Sequence, residues 1–242
     1  MLSPWFGEFM GTLVLILMGD GVVAGVLLKK SKAENSGWIV ITTGWSMAVI
    51  SGVFTAIACG SPGAHLNPAV TLGLAIRTGD YSKLFSFFTA QMLGGILGAT
   101  LVWLHFLPHW KETPDQVTKL SVFCNSPAIR NFPSNFLSEV IATFALVFVV
   151  FAMFSKNVAA AGPATGLGPY LVGGLVWGVG LSLGGPTGYA INPARDLGPR
   201  IAHAILPIPG KGSSGWDYAA IPVFGPLAGG ALAGLLVKFL AF

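Results

Sequence analysis

Two stretches of this 242-residue sequence share one pattern, Gly63-Ala-His-Leu-Asn-Pro-Ala-Val70 and Gly188-Tyr-Ala-Ile-Asn-Pro-Ala-Arg195. In each, an Asn-Pro-Ala triplet begins a short segment, Pro68 to Ile76 in the first and Pro193 to Ile205 in the second. Proline suits the first helical position because its φ is already helical and the amide hydrogen it lacks would be unpaired there. Asparagine directly before it is a preferred helix cap. The pattern therefore predicts two short helices, each capped by an asparagine.

The rest of the chain has the composition of a membrane protein. Charged residues make up 9% and hydrophobic residues 53%, and the mean hydropathy is +0.74, which is far from the balance of soluble chains. A crossing needs about 20 apolar residues, and six stretches qualify, at about residues 5–28, 37–58, 83–107, 134–155, 167–184 and 217–241. The first lacks a positively charged start, so we interpret it as a transmembrane helix and not as a signal peptide. The expected fold is an all-α membrane protein with six transmembrane helices and two re-entrant half-helices.

An internal repeat relates the two halves of the chain. Glu8-Phe-Met-Gly-Thr-Leu-Val-Leu15 matches Glu139-Val-Ile-Ala-Thr-Phe-Ala-Leu146 at a separation of 131 residues, and Asn192 follows Asn67 by 125. We expect a single transmembrane channel domain over residues 1–242, with repeat 1 at about 1–107, repeat 2 at about 134–242 and a long loop at 108–133. Because each repeat holds three crossings, an odd number, the second repeat enters the membrane from the side opposite to the first. The repeat is therefore inverted, and the half-helices meet head to head near the midplane.

This arrangement predicts an aqueous pore. Irregular backbone at membrane depth is tolerated only when it is buried in protein or lines a water-filled cavity. The unpaired amides at each half-helix start carry partial positive charge, which repels cations and protons. We expect Asn67 and Asn192 to cap the half-helices through their side-chain oxygens and to turn their NH₂ groups into the lumen. For either asparagine alone, an ordinary capping role would be the simpler interpretation.

Two Asn-Pro-Ala triplets in homologous halves resemble the aquaporin superfamily over nearly the whole chain. Asp196, directly after Asn192-Pro-Ala-Arg195, is similar to the glycerol facilitator branch of that family. The resemblance implies a passive channel for glycerol, water and other small uncharged solutes, with dihydroxyacetone, urea and neutral lactic acid as further candidates. It also implies a homotetramer in a bacterial plasma membrane with cytoplasmic termini. That orientation places Lys29, Lys30 and Lys32 outside, against the positive-inside rule.

The resemblance further implies a selectivity filter of four positions, Trp45, Gly180, Tyr189 and Arg195. Two aromatic faces beside a guanidinium suit the carbon-bound hydrogens and hydroxyls of a polyol. Trp45 precedes Asn67 by 22 residues, about two more than the family pattern. Either residues 58–62 hold a short insertion, or the neighbouring Thr43 or Met47 faces the pore instead. Taken singly, the aromatic residues would be interpreted as interfacial anchors.

The resemblance assigns lumen-facing carbonyls to the residues before each asparagine: Gly63, Ala64 and His65 in the first half, and Tyr189, Ala190 and Ile191 in the second.

Buried charges in a membrane are expensive and functional by default. Glu8 and Glu139 recur in the repeat, and we expect them to accept hydrogen bonds from the irregular backbone before each half-helix; a proton relay is the alternative. Asp196 is predicted to brace the second re-entrant loop, favoured there by the helix dipole. Asp20 is interpreted as a surface residue, with snorkelling, pairing with a neighbouring loop or tuning of the vestibule as alternatives. Gln91 is interpreted as part of close helix packing beside several glycines.

Other classes of function are disfavoured. A secondary transporter has the same inverted repeats and is the leading alternative, but no coupling cluster of carboxylates is visible. An enzyme would need a nucleophile, an acid–base pair or a metal set, and Cys59 and Cys124 lack metal-ligand spacing, so no metal and no cofactor are predicted. A cation channel conflicts with a positive midplane. The net charge of +4 comes without a basic run, so no nucleic acid is expected as a partner beside the lipid bilayer.

Overall fold

The computed structural model describes residues 2–241, and the secondary structure of that range is entirely helical. It comprises α1 (Pro4–Leu27), α2 (Trp38–Ala58), α3 (Pro68–Thr78), α4 (Leu84–His105), α5 (His109–Glu112), α6 (Gln116–Phe123), α7 (Phe132–Met153), α8 (Gly168–Leu183), α9 (Pro193–Ile205) and α10 (Ala220–Leu240).

Six of these helices correspond to the predicted crossings. Within residues 2–241, α1, α2, α4, α7 and α10 are long and apolar enough to cross a membrane. The sixth, α8, is apolar but has only 16 residues, so at about 1.5 Å per residue it falls short of a hydrocarbon core of about 30 Å. Two crossings at matching places in the repeats begin alike, because Ser3 caps α1 and Asn131 caps α7 with proline in the first turn of each.

The two half-helices, α3 and α9, each pack against a long helix of the other repeat. A Cβ at Gly230 of α10 would lie 2.4 Å from the carbonyl oxygen of Ala69 in α3, and one at Gly95 of α4 would lie 2.9 Å from that of Ala194 in α9. Neither glycine can therefore be replaced without moving backbone. Small residues at these contacts allow the close approach that holds both half-helices inside the bundle.

The segment 108–133, expected to be a long loop, contains two short helices, α5 and α6, and α7 begins at Phe132. Asp115 caps α6 by accepting from the backbone N–H of Thr118. The rings of Trp110 and Phe123 stack and are fully buried. The segment is thus a folded cap that packs on α1 and α9.

Candidate functional site

Both predicted asparagine caps are formed. The side-chain oxygen of Asn67 accepts from the backbone N–H of Ala69 at 2.8 Å. That of Asn192 accepts from the backbone N–H groups of Ala194 at 3.0 Å and Arg195 at 3.2 Å. Pro68 and Pro193 begin the two half-helices. The amides that an uncapped helix start would leave unpaired are therefore partly satisfied by the asparagines themselves.

The two asparagines are also linked across the repeats. The carboxamide nitrogen of Asn67 donates to the carbonyl oxygen of Ile191, and that of Asn192 donates to the carbonyl oxygen of Leu66, each at 2.8 Å. Each NH₂ group has two hydrogens, so one hydrogen on each asparagine remains for a solute. Both asparagines line one cavity, the central cavity, which therefore holds two donors side by side.

The backbone before each asparagine is left-handed at matching positions. Ala64 and Leu66 have φ values of 39° and 54°, and Tyr189 and Ile191, each 125 residues later, have 44° and 46°. Non-glycine residues in this region carry roughly 1–3 kcal/mol of strain each. Strain that recurs at equivalent places in two repeats indicates a constrained and functional loop geometry.

Of the six residues assigned lumen carbonyls, five line the central cavity: Ala64, His65, Tyr189, Ala190 and Ile191. Gly63 lines a second cavity that adjoins it. The carbonyl of Ile191 accepts from Asn67, so part of its capacity is already used within the protein. The ring of His65 bonds Thr71 and meets Phe87 edge-on, in addition to facing the cavity.

Two buried carboxylates hold these strained loops. Glu8 accepts from the backbone N–H groups of His65 and Leu66 at 2.8 and 2.7 Å. Glu139 accepts from those of Ala190 and Ile191, both at 2.9 Å. Hydroxyl donors complete the pattern, Ser61 for Glu8 and Thr187 for Glu139. Each carboxylate thus replaces the backbone partners that a re-entrant loop lacks.

Gln91 belongs to the same network, so its interpretation as plain helix packing was incomplete. Its side-chain nitrogen donates to Glu8 at 2.8 Å and lies 3.2 Å from the hydroxyl of Thr71. The neighbouring glycines do lie in close contact, since a Cβ at Gly94 would be 2.4 Å from the carbonyl oxygen of Phe9. Gln91 therefore connects the first loop, α1 and α3.

Trp45, Tyr189 and Arg195 meet at one end of the central cavity. They are the residues that this cavity shares with the next one, the outer cavity, which is bounded by α1, α2 and the segment 121–126. The guanidinium carbon of Arg195 lies 4.3 Å from the centre of the Trp45 ring. Of the alternatives at this position, Met47 is 49% exposed and Thr43 bonds its own helix, and neither lines these cavities. We call this meeting point the junction.

Gly180 lies behind Tyr189. A Cβ on Gly180 would be 2.8 Å from the ring carbon that carries the tyrosine hydroxyl, so only glycine leaves room for the ring. Trp38, which the sequence analysis did not select, contacts Tyr189 edge-on at 5.7 Å and donates to the Gly180 carbonyl at 3.2 Å. A tryptophan at the start of a membrane helix is typical of an interfacial anchor, so nothing in the sequence marked Trp38 as part of this site.

Asp196 is fully buried and reaches the second re-entrant loop through Asn125. Its carboxylate accepts from the guanidinium of Arg200, one turn along α9, at 2.8 and 2.9 Å, and from the backbone N–H of Asn125 at 2.7 Å. It thus braces the segment after α6 against the half-helix, and Asn125 of that segment donates in turn to the carbonyl oxygen of Thr187 in the re-entrant loop at 3.1 Å. Burial raises the pKa of the nearby Cys124 thiol well above its ordinary value, so the thiol stays protonated at neutral pH.

The interpretation of Asp20 as a surface residue was wrong. Its side chain is 0% exposed, and neither carboxylate oxygen accepts a hydrogen bond from a described residue.

Three cavities follow one another through the bundle. The inner cavity, near Pro62, Gly63 and Phe154, shares six lining residues with the central cavity: Val53, Ala64, His65, Val70, Val150 and Val172. The central cavity continues at the junction into the outer cavity. Its walls are aliphatic apart from the asparagines, His65, the loop backbone and the junction. The passage is thus amphipathic, with polar groups along one path through an apolar tube.

A helical membrane protein with two asparagine-capped half-helices meeting inside such a passage is a channel of the aquaporin type. The family model for the major intrinsic protein family matches residues 2–237. The chain therefore belongs to the major intrinsic protein family, and its similarity to glycerol facilitators agrees with the sequence analysis.

Its relatives cover nearly the whole chain. It is 54% identical over 235 residues to glycerol uptake facilitator protein 3 of Lactiplantibacillus plantarum, covering 97% of this chain and 95% of the relative. It is 52% identical over 237 residues to the glycerol uptake facilitator protein of Streptococcus pneumoniae, covering 98% of each. Among solved structures, the aquaglyceroporin from Plasmodium falciparum superposes with a TM-score of 0.85 at 26% identity, covering 98% of this chain and 95% of that one.

Proposed function

We propose that this chain is a passive channel for glycerol and other small uncharged solutes, water among them. The observation that carries the proposal is the run of three cavities whose central member presents the Asn67 and Asn192 donors within aliphatic walls. A triol has hydroxyls for such donors and a carbon backbone for such walls. The relatives named above are glycerol uptake facilitators and support the same substrate.

In this proposal the junction is the selectivity filter, formed by Trp45, Gly180, Tyr189 and Arg195. The guanidinium of Arg195 offers several donors on one side, and the two aromatic rings form the apolar side opposite. The absence of a side chain at Gly180 leaves space for Tyr189 and thereby sets the width for a molecule larger than water.

Ion exclusion follows from the same residues. The positive ends of α3 and α9 point at the central cavity, and Arg195 adds a full charge at the junction. Among the described residues that line the three cavities, none is acidic, so a cation that gives up its hydration shell there gains no partner of opposite charge. Protons are repelled by the same field, so the channel conducts neutral molecules only.

The proposal is tested by reconstituting the chain in liposomes and measuring light scattering as the vesicles shrink and re-swell in glycerol. We expect rapid re-swelling relative to empty liposomes, with a flux that stays linear with the glycerol gradient and does not respond to ionophores. A flux that saturates and follows an ion gradient would instead support a secondary transporter. The Gly180→His variant, with a bulky ring behind Tyr189, should abolish glycerol entry while the protein still reconstitutes.

We further propose dihydroxyacetone, urea and neutral lactic acid as solutes, since they share small size and lack of charge. The same re-swelling assay ranks them against glycerol. The proposed assembly is a homotetramer with one pore in each subunit, located in a bacterial plasma membrane. Native mass spectrometry of the detergent-solubilised protein tests the subunit number. We propose that the chain is not an enzyme.

The proposed domain organisation is one channel domain, with repeats at about residues 1–107 and 134–242.

A further inference from the structure

The inner cavity has one polar side chain among the described residues that line it, that of His65. Every other lining side chain there is aliphatic or aromatic, or is absent as in glycine. The six residues that this cavity shares with the central cavity repeat the pattern, because His65 is the member of that group with a polar side chain. A solute that moves inward from the Asn67 and Asn192 donors therefore meets one polar side chain besides the loop carbonyls.

The same position makes the two ends of the passage chemically different. In the repeat, His65 corresponds to Ala190 and Val70 corresponds to Arg195, each pair 125 residues apart. The outer end thus has a guanidinium, which can only donate hydrogen bonds, where the inner end has a valine. The imidazole is the polar side chain that distinguishes the inner end, as the guanidinium distinguishes the outer one.

The hydrogen bonds at Thr71 assign the tautomer of the His65 ring. The Thr71 hydroxyl has one proton and donates it to the backbone carbonyl of Asn67 at 3.0 Å. Its oxygen then accepts from the side-chain nitrogen of Gln91 at 3.2 Å and from His65 Nδ1 at 3.1 Å. Nδ1 therefore carries the ring proton, and in the neutral ring Nε2 keeps its lone pair.

The Nε2 atom of His65 is free and lies on the side of the inner cavity. Unlike Nε2 of His203, which is enclosed without a partner, it is open to solvent and bonds no described residue. A Cβ built on Gly63 would lie 3.2 Å from it, and Gly63 lines the inner cavity. The Glu8 carboxylate bonds the loop backbone and not the ring. The positive end of α3 begins close by, so the neutral ring is favoured over the imidazolium.

We propose that Nε2 of His65 is a side-chain acceptor for the permeating solute and thereby a specificity-determining residue at the inner end of the passage. The inference rests on the proposed channel function. The solute class that it recognises is a small neutral molecule with an O–H or N–H donor at its leading end, such as a polyol or an amide. The two asparagines donate, so one hydroxyl of a triol accepts from them while another donates to the ring.

The first test compares two variants that carry the same amide at different reach. His65→Asn keeps an amide near Thr71 but ends short of the Nε2 position, whereas His65→Gln is one methylene longer and returns an amide oxygen to that position. We expect glycerol re-swelling to slow about fivefold in His65→Asn, as for the loss of one hydrogen bond of average strength from the transport barrier, and His65→Gln to restore most of it. Water flux in the same vesicles should change by less than about twofold, because water reorients freely and can donate to the loop carbonyls instead.

Equal glycerol flux in the two variants overturns the proposal, because a purely structural role of the ring predicts that result. Faster flux in His65→Asn overturns it too, since that outcome means that the smaller side chain has only widened the cavity. If the wild type itself moves no glycerol, the proposed function fails, and a second test still decides the chemistry of the ring.

The second test is NMR of the wild-type protein in liposomes with ¹⁵N-labelled histidine, at about pH 8, where an ordinary imidazole is neutral. We expect the ring proton of His65 on Nδ1, and a shift of its Nε2 resonance on addition of glycerol but not of sucrose, which is too large to enter. The ring of His203 lines none of the three cavities and should respond to neither solute. A proton on Nε2 of His65, or an Nε2 resonance that glycerol leaves unchanged, overturns the proposal.

Discussion

The contact between Gly180 and Tyr189 allows a quantitative prediction about glycerol flux. In Gly180→Ala the added carbon would lie 2.8 Å from the tyrosine ring carbon Cζ and 3.1 Å from a methyl carbon of Thr42. Carbon atoms pack at about 3.5–4.0 Å, so the ring must move by roughly 0.7 Å. Trp38 contacts the ring at its edge, and the backbone at Gly184 is also close to it. The open direction is therefore toward the lumen.

The size of the effect follows from the strain of that displacement. Inserting one carbon into a packed site destabilises it by about 1–3 kcal/mol. If about 1.4 kcal/mol of this appears in the barrier to glycerol passage, the flux falls about tenfold. Water is smaller than glycerol and should lose less than about threefold, because a modest narrowing affects the larger solute first. The expected signature is a change in the glycerol-to-water ratio.

The assay is stopped-flow light scattering of proteoliposomes, with osmotic shrinkage reporting water and re-swelling reporting glycerol. Gly178→Ala is the matched control, because it adds the same carbon to the same helix at a position where no described atom beyond the helix's own backbone lies within 4 Å. It should retain wild-type flux for both solutes. Two results would refute the reasoning: a glycerol flux in Gly180→Ala equal to that of the control, or an equal loss of water and glycerol flux.

Three further predictions concern the support of the site. Glu139→Gln replaces one accepting oxygen with a donor that faces the loop N–H groups, so it should lower the free energy of unfolding by about 2–4 kcal/mol. Denaturant titration in detergent measures this free energy. A loss below about 0.5 kcal/mol would contradict the prediction. Lys211→Met removes an ammonium that bonds three carbonyls at the end of α9, so it should cost about 1 kcal/mol in the same titration, and unchanged stability would count against this cap. Maleimide at neutral pH should modify the half-exposed Cys59 faster than Cys124, because burial shields the Cys124 thiol and raises its pKa; mass spectrometry separates the two sites, and equal rates would contradict the assignment.

The repeated motifs allowed much of the site to be predicted. An Asn-Pro pair fixes a cap and a first helical residue locally, so the starts of α3 and α9 were placed correctly. The matched positions of Glu8 and Glu139 indicated a shared role in the two loops. These features depend on local chemistry and on duplication, both of which a single sequence records directly.

Long-range contacts of single residues were not predictable in the same way. The helix α1 is apolar on all sides, so no polar stripe shows which face is buried, and Asp20 was assigned to the surface. Gln91 meets Glu8 across 83 residues of chain, a contact that no spacing rule anticipates. The spacing between Trp45 and Asn67 is about two residues longer than in the family pattern. Two extra residues in the turn after α2 change which face of the helix is predicted to meet the pore. Trp45, Thr43 and Met47 therefore remained alternatives for this filter position.

The paired asparagine bonds make each repeat dependent on the other for its final shape. Asn67 completes the loop that ends at Ile191, and Asn192 completes the loop that ends at Leu66. A half-length chain inserted alone would carry an amide and a carbonyl with no partner at membrane depth. We therefore expect the two loops to reach their final shape together, once both repeats are in the bilayer.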